Sequence, residues 1–476
     1  MRSGKVSPST RRRVASNTAV QVAGKAAVLA LGAGSIAVLT RYLGAGDYGR
    51  FTLALMYMQL FGVLADAGLY MTVVRDISRD PSRTDELVGN ALTLRLLLSI
   101  AVIAVGGAVS FLLPYESRVR LAILLAGGPF LLGMLTSSLV TVLQSRLRMG
   151  RAVAGDVTGR AFALGLTLLV AGVDLGFYAV FGAAAGGAFA ALVVTWLLTR
   201  HLTGLRFRVE PATWRPLMVA SLPLGLALAI NELYFRADTL IISLYKSYEQ
   251  VGFYTLAYRI LEFTLALGTL LLTTVFPILS EAVERDEPRA LRMIQAATDV
   301  FVIMAAPLVA GGLVLAPQMI ELVGGPGFGD ATMPLRILLV AGALAWVNGV
   351  FGFALIAKRR QASALWLNVS ALTFNVGLNF LLIPRYGIVA AAVVTVASEI
   401  LILAGSYALM RRHFGFFPRP RTLLPALVAA AAMGAVLWTL RDAPLAALLP
   451  LGAALYAAIL YAGSPRSREV VIGGRR

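Results

Sequence analysis

Asn231, Glu232, Arg236 and Asp238 stand within INELYFRADTLII (residues 230–242), a stretch otherwise dominated by apolar residues. An ionisable side chain at membrane depth costs roughly 3 kcal/mol or more, so such residues face protein or a water-filled path and mark chemistry. On a helix, Glu232, Arg236, Thr239 and Ser243 share one stripe and Asn231 and Asp238 share its neighbour. Arg236 and Asp238, two apart, point to nearly opposite sides. Other apolar segments repeat the pattern, with Asn17, Gln21 and Lys25; Gln59, Asp66 and Tyr70; Asp156 and Arg160; Thr255, Arg259 and Glu262; Asn368, Asn375 and Asn379; and Glu399. Arginine and lysine are what a phosphate or diphosphate needs. Lys25, Arg160, Arg236 and Arg259, with Asn231 and Glu232, are therefore the candidate substrate-binding residues. Asp66, Asp156, Asp238, Glu262 and Glu399 are candidate coupling or structural acids. A purely structural role competes for Glu232–Arg236, Asp156–Arg160 and Arg259–Glu262, whose spacing also suits local ion pairs. The asparagines of the 368–379 segment read as interhelical hydrogen-bond partners. Arg95 reads as a snorkelling residue near a helix end, and His201 and His413 lie at helix ends.

The elements that must hold these residues are membrane helices. Of 476 residues 58% are hydrophobic and only 14% charged, against about a quarter in a soluble chain. Fourteen apolar runs have spanning length, about 20 residues each: 17–40, 51–74, 88–113, 120–144, 152–172, 177–199, 214–243, 250–280, 293–317, 333–357, 362–383, 387–410, 422–440 and 444–462. The expected fold is an all-α polytopic membrane protein. With no cysteine and two histidines, a disulfide framework, a thiolate nucleophile or a metal cluster has no material; no metal and no cofactor are expected. A membrane enzyme would want a catalytic acid or base on a sizeable external loop, and the longest such loop, 318–332, holds only Glu321 and Asp330 among glycines.

The net charge of +18 reflects orientation rather than nucleic-acid binding. Of the 42 lysines and arginines, 29 fall in alternate segments beginning with the N-terminal tail and 8 in the opposite loops, which predicts both termini in the cytoplasm. Internal similarity points to duplication. YGRFTLAL (48–55) resembles VGFYTLAY (251–258), DVTGRAFALGL (156–166) resembles NVSALTFNVGL (368–378), and TRH (199–201) matches RRH (411–413), at offsets of 203, 212 and 212. The expected organisation is a basic tail (1–16), an N-lobe of spans 1–6 (17–201), a cytoplasmic linker (202–213), a C-lobe of spans 7–12 (214–413), spans 13–14 (422–462) and a basic tail (463–476). Two parallel six-helix lobes, with two helices outside the repeat, form a transporter layout in which substrate sits between the lobes.

The stretches LTRYLGAGDYGRFTLALMYMQLFGVLADAGL, RADTLIISLYKSYEQVGFYTLAYRILEF and LAPQMIELVGGPGFGDATMPLRILL resemble the polysaccharide-export flippases of the multidrug/oligosaccharidyl-lipid/polysaccharide exporter superfamily, across residues 14–410. The resemblance implies a fourteen-helix, two-lobe fold. It implies a flippase, not an enzyme, moving polyprenyl-diphosphate-linked oligosaccharide from the inner to the outer leaflet of the cytoplasmic membrane. It carries the R-x-D motif onto Arg236 and Asp238 and a following arginine onto Arg259. The partners it implies are the lipid-linked glycan, membrane lipid, H+ or Na+ as coupling ion, and glycan-assembly enzymes, with no nucleic acid. Two alternatives share the fold, a cation-coupled multidrug exporter and a lipid II flippase. The first span departs from the multidrug pattern by carrying Lys25 and no acid. The first two spans depart from the lipid II pattern by offering Lys25 in place of several arginines.

Overall fold

The computed structural model describes residues 8–146, 148–204, 206–419 and 421–463, with side chains from residue 23. Asn17, Gln21 and the C-terminal tail therefore lie outside the described side chains. Among the described residues the chain is helical without a strand: α1 Pro8–Asp66, α2 Leu69–Arg79, α3 Thr84–Ser110, α4 Ser117–Ser145, α5 Met149–Val173, α6 Ala179–Thr199, α7 Pro211–Tyr245, α8 Tyr248–Arg285, α9 Glu287–Gly324, α10 Thr332–Ala357, α11 Gln361–Phe414, α12 Leu423–Thr439 and α13 Leu445–Gly463. Eleven of the described helical segments are long and apolar enough to cross a membrane, and α12 is a shorter apolar helix. The chain forms two compact units, Met1–Arg236 and Ala237–Arg476, with α7 contributing to both.

In unit 1, α1 is two limbs joined at Gly44, whose φ of 66° is one that side-chain-bearing residues rarely adopt. The first limb runs beside α5: Gly24 abuts Val153, Gly34 abuts Leu164, and Tyr42 Oη donates to Asp174 at 3.0 Å. The second runs beside α4: Arg50 bonds Glu116 at 2.5 Å, Arg118 bonds Asp47 at 2.6 Å, and Gly62 abuts Phe130. The start of α4 and the end of α5 thus meet at one turn, and the limbs run in opposite directions. In unit 2, α11 doubles back at Gly387 (φ 67°) in the same way. Asn375 and Ser398 would be about 35 Å apart on a straight helix, yet Asn375 Nδ2 donates to Ser398 Oγ at 3.2 Å.

The second expected span, 51–74, is not continuous. Ala67 and Gly68 take left-handed φ values of 43° and 80° and separate α1 from α2. The break packs against Ser221–Gly225 of α7 so closely that a Cβ at Gly225 would fall 2.4 Å from the Ala67 carbonyl carbon.

The described residues of the 202–213 segment are tied to α3. Thr203 Oγ1 and Gly204 N donate to Asp85 Oδ1 at 2.6 and 2.9 Å. Fully buried Asn90 accepts from Glu210 N at 3.0 Å and Trp214 Nε1 at 2.8 Å. Asn90→Ala strands both donors, and an unsatisfied buried group costs about 1–3 kcal/mol. The expected result is a lower unfolding temperature together with faster tryptic cleavage around Arg206 and Arg208.

In unit 2, α12 and α13 pack on α9 through Ala426, Ala430, Met433, Leu448 and Tyr456 against Ile303, Ala306 and Leu315. Pro307 has no N–H, so the Ile303 carbonyl four residues back loses its helical donor. Tyr456 Oη donates to it instead, at 2.7 Å. Lipid offers no replacement donor, so Tyr456→Phe should cost about 0.6–1.7 kcal/mol, read as a lower unfolding midpoint in detergent.

Candidate functional site

Three of the ion pairs described in unit 1 involve expected site residues. Asp66, at the last residue of α1, bonds Arg95 of α3. The Arg95 side chain is 1% exposed, and its Nη1 donates to Ser137 Oγ and Ser138 Oγ at 2.9 Å each. This corrects the reading of Arg95 as a snorkelling residue: α3 turns it inward onto α4, and its guanidinium lies in the unit's interior. Two residues beyond the helix break, Tyr70 bonds Gln144.

A cavity of about 670 Å³ opens beside this cluster, with Tyr70, Ser137, Asp156, Gly159, Arg160 and Gly187 among its lining residues. Asp156 and Arg160 pair at 3.5 Å, both more than half exposed. Lys25 is exposed on the limb of α1 that runs beside α5. On α7, Arg236 Nε donates to Glu232 at 2.6 Å, with the Arg236 side chain 14% exposed, while Asn231 is exposed. The Arg236 Nη1 atom is buried with no hydrogen-bond partner.

Unit 2 is organised around Asp238, 2% exposed. Asn379 Nδ2 donates to its Oδ1 at 2.7 Å. Tyr254 Oη donates to Oδ2 at 2.7 Å, and Thr395 Oγ1 lies 2.9 Å from the same oxygen. Asn375 Oδ1 accepts from Asn379 at 2.9 Å, and Asn379 Oδ1 is buried without a donor. The turn at Gly387 makes this arrangement, because it folds Asn379 and Thr395 of α11 onto the same carboxylate. No basic group pairs with Asp238 among the described residues. A buried carboxylate among neutral hydroxyls and amides can hold a proton or a hard monovalent cation, for which oxygen donors are the matching set. Among the described residues there is no cluster of three His, Cys, Asp or Glu suited to a metal.

Two further pairs hold the other candidates of unit 2. Glu399, 6% exposed, accepts from Asn348 Nδ2 at 2.7 Å. Arg259 and Glu262 pair at 2.7 Å with both side chains about one-third exposed. Reading the sequence missed Tyr254 and Thr395. Tyr254 lies in the VGFYTLAY repeat where the first copy has Phe51, so an aromatic-to-tyrosine difference between the copies was the available signal.

Helices of membrane length, two glycine fold-backs and ionisable groups buried within them define a multi-pass membrane protein. The chain belongs to the polysaccharide biosynthesis protein family, whose model matches residues 14–283. It is 25% identical over 375 residues, 76% of either chain, to the Haloferax volcanii protein named "Probable low-salt glycan biosynthesis flippase Agl15". It is 26% identical over 248 residues, 50% of this chain and 52% of the relative, to "Probable flippase AglR" of the same organism. These relatives are named as flippases, not as enzymes. Among solved structures the fold is similar to the lipid II flippase MurJ in an inward closed conformation, with TM-score 0.79, 11% identity, and 94% of this chain and 100% of that chain covered. It is also similar to an inward-facing MATE-family multidrug transporter, with TM-score 0.65, 16% identity, and 81% and 94% covered.

Proposed function

We propose that this protein is a flippase that carries a polyprenyl-diphosphate-linked oligosaccharide, a repeat unit of a surface glycan, from the inner to the outer leaflet of the cytoplasmic membrane. The observation that carries the reading is the match over three-quarters of both chains to a glycan-biosynthesis flippase. With α1 and α11 each crossing twice and α12 once, the helices make fourteen passes and leave both termini in the cytoplasm, in keeping with the basic residues. Residues 17–201 and 214–413 act as the two lobes of an alternating-access transporter.

Arg236 supports a diphosphate contact. Glu232 engages only its Nε, and Nη1 is buried without a partner. A guanidinium with spare donors suits a phosphate oxygen. Glu232 holds the arginine in place, and Asn231, Lys25, Arg160 and Arg259 supply further polar contacts along the path. Asp238 is the coupling site for H+ or Na+. Rotating the Asn379 amide brings its unpaired Oδ1 toward the carboxylate and completes an oxygen-rich shell with Thr395. Asp66, Asp156, Glu262 and Glu399 position their basic or amide neighbours.

The test is deletion of the gene, followed by mass spectrometry of polyprenyl-diphosphate sugars and of the surface glycan. Lipid-linked repeat units should accumulate on the cytoplasmic side while the outer glycan is lost. An unchanged glycan with altered drug resistance would instead favour a cation-coupled exporter, for which Asp238 is the supporting feature. A further expectation follows for the arginine: Arg236→Gln should lower glycan export about tenfold or more, the effect of losing a charge-assisted contact of 1.5–3 kcal/mol. Protein abundance in the membrane should be unchanged, because Glu232 is 37% exposed and can be rehydrated.

A further inference from the structure

Arg336 lies in the first turns of α10, at the end of unit 2 that also holds the Gly387 turn. Its Nε is buried without a partner, and it forms no ion pair or hydrogen bond among the described residues. It stands between two hollows. Below it is an apolar groove of about 460 Å³ whose walls include Leu313 of α9, Val340 of α10, Val393 and Val396 of α11, and Trp438 of α12. Above it is a more polar notch of about 420 Å³ bounded by Gln250, Asp330, Thr332 and Tyr386.

The groove has a direction. Val340 is eight residues beyond the start of α10, and Val396 is eight beyond the start of the second limb of α11 at Ile388, so the walls descend about 12 Å from the helix ends. That is less than half of an apolar bilayer core of about 30 Å. The upper rim is aromatic and cationic: the Arg441 guanidinium lies 4.8 Å from the Trp438 ring centroid. Tryptophan and arginine at this level are what a headgroup interface selects. Asp330 is the one acid among the lining residues of the notch, on the side of Arg336 away from the apolar walls.

The buried Nε of Arg336 lacks an internal partner at the top of an apolar groove, so an anion would satisfy the one and an apolar chain would fill the other. We propose that this face seats one phosphate-headed phospholipid, with an acyl chain in the groove and its phosphate on Arg336. The groove lies wholly within unit 2 and shares no residue with Arg236, Arg259 or the Asp238 centre. It therefore stands whether or not the protein is a flippase.

The experiment is native mass spectrometry of the full chain in detergent, titrated with phosphatidylglycerol. Wild type should retain one lipid preferentially. Arg336→Gln should weaken retention about fivefold, the effect of one basic residue at a lipid surface, and Arg336→Lys should restore most of it. Val340→Trp, which fills the groove and leaves the charge, should weaken retention as much as Arg336→Gln does. Soluble glycerol phosphate at equal concentration should not compete, because it lacks the chain. Retention unchanged in either Arg336→Gln or Val340→Trp, or displacement by glycerol phosphate, would overturn the proposal.

Discussion

Asp238→Asn is expected to leave the protein folded and, on the coupling role proposed for Asp238, to remove the dependence of transport on an ion gradient. The substitution is nearly isosteric, so the packing of Tyr254, Asn379 and Thr395 around position 238 is retained. The hydrogen bonds can also be conserved. Thr395 Oγ1 is within 2.9 Å of both Asp238 Oδ2 and the Ala391 carbonyl, but it has one hydrogen to give. When position 238 is an anion, that hydrogen goes to the carboxylate. When the group is a protonated acid, it donates to the hydroxyl, Thr395 donates to Ala391, and Oδ2 still accepts from Tyr254. An amide at 238 keeps the Tyr254 bond through its oxygen when its Nδ2 faces Asn379, whose amide turns to accept with the Oδ1 that otherwise has no donor. The amide therefore imitates the proton-loaded form and cannot unload. Coupling free energies between linked sites run about 1–3 kcal/mol, a factor of 5–150. Export driven by the ion gradient should fall by an amount in that range, with an unfolding temperature within a few degrees of wild type. The pH or Na+ dependence of transport should disappear in the variant. If it persists, Asp238 is not the coupling group. Asp238→Leu should behave differently, because it strands Tyr254 Oη and the Asn379 amide in the interior and lowers stability outright.

Whether a feature could be read from the sequence depended on how far apart its partners lie along the chain. Apolar runs of spanning length identify membrane helices because lipid leaves the backbone no other way to satisfy its hydrogen bonds. The turn at Gly44 falls between expected spans and the turn at Gly387 falls on the first residue of one, although the helix continues on both sides of each. The interruption at Ala67–Gly68 was hidden, since ADAGLY contains no proline and an alanine in a left-handed conformation has no sequence signature. The same division separates the ion pairs. Glu232–Arg236, Asp156–Arg160 and Arg259–Glu262 are fixed by helical spacing and appear in the structure as pairs. Asp238 with Asn379 and Thr395, 141 and 157 residues away, depends on α11 folding back beside the start of unit 2. No periodicity within one helix contains that information. Arg95 differs from its sequence expectation for the same reason: its position near the end of an expected span points to snorkelling, while its partners lie on α1 and α4.

Arg95→Met should be among the most destabilising single substitutions in unit 1. The guanidinium bridges Asp66 to Ser137 and Ser138, tying the end of α1, just before the break at Ala67–Gly68, to α3 and α4. Methionine matches much of the volume but leaves the carboxylate, only 21% exposed, without its counter-charge. Breaking one side of a buried pair costs about 3–5 kcal/mol, more than the pair itself contributes, because an uncompensated charge remains. The double variant Asp66→Asn/Arg95→Met removes both charges and should recover most of that loss, since neutral replacements of buried pairs are often close to neutral in stability. Two readouts in a mutant cycle decide the outcome, the unfolding midpoint and the amount of protein recovered from membranes. Recovery in the double variant means that the pair serves mutual neutralisation and that the helix break at Ala67–Gly68 is held mainly by its packing on α7. A double variant as unstable as Arg95→Met means that the hydrogen bonds from the guanidinium to α4 hold α1, α3 and α4 together. Asp66 would then be a secondary partner to the two serines.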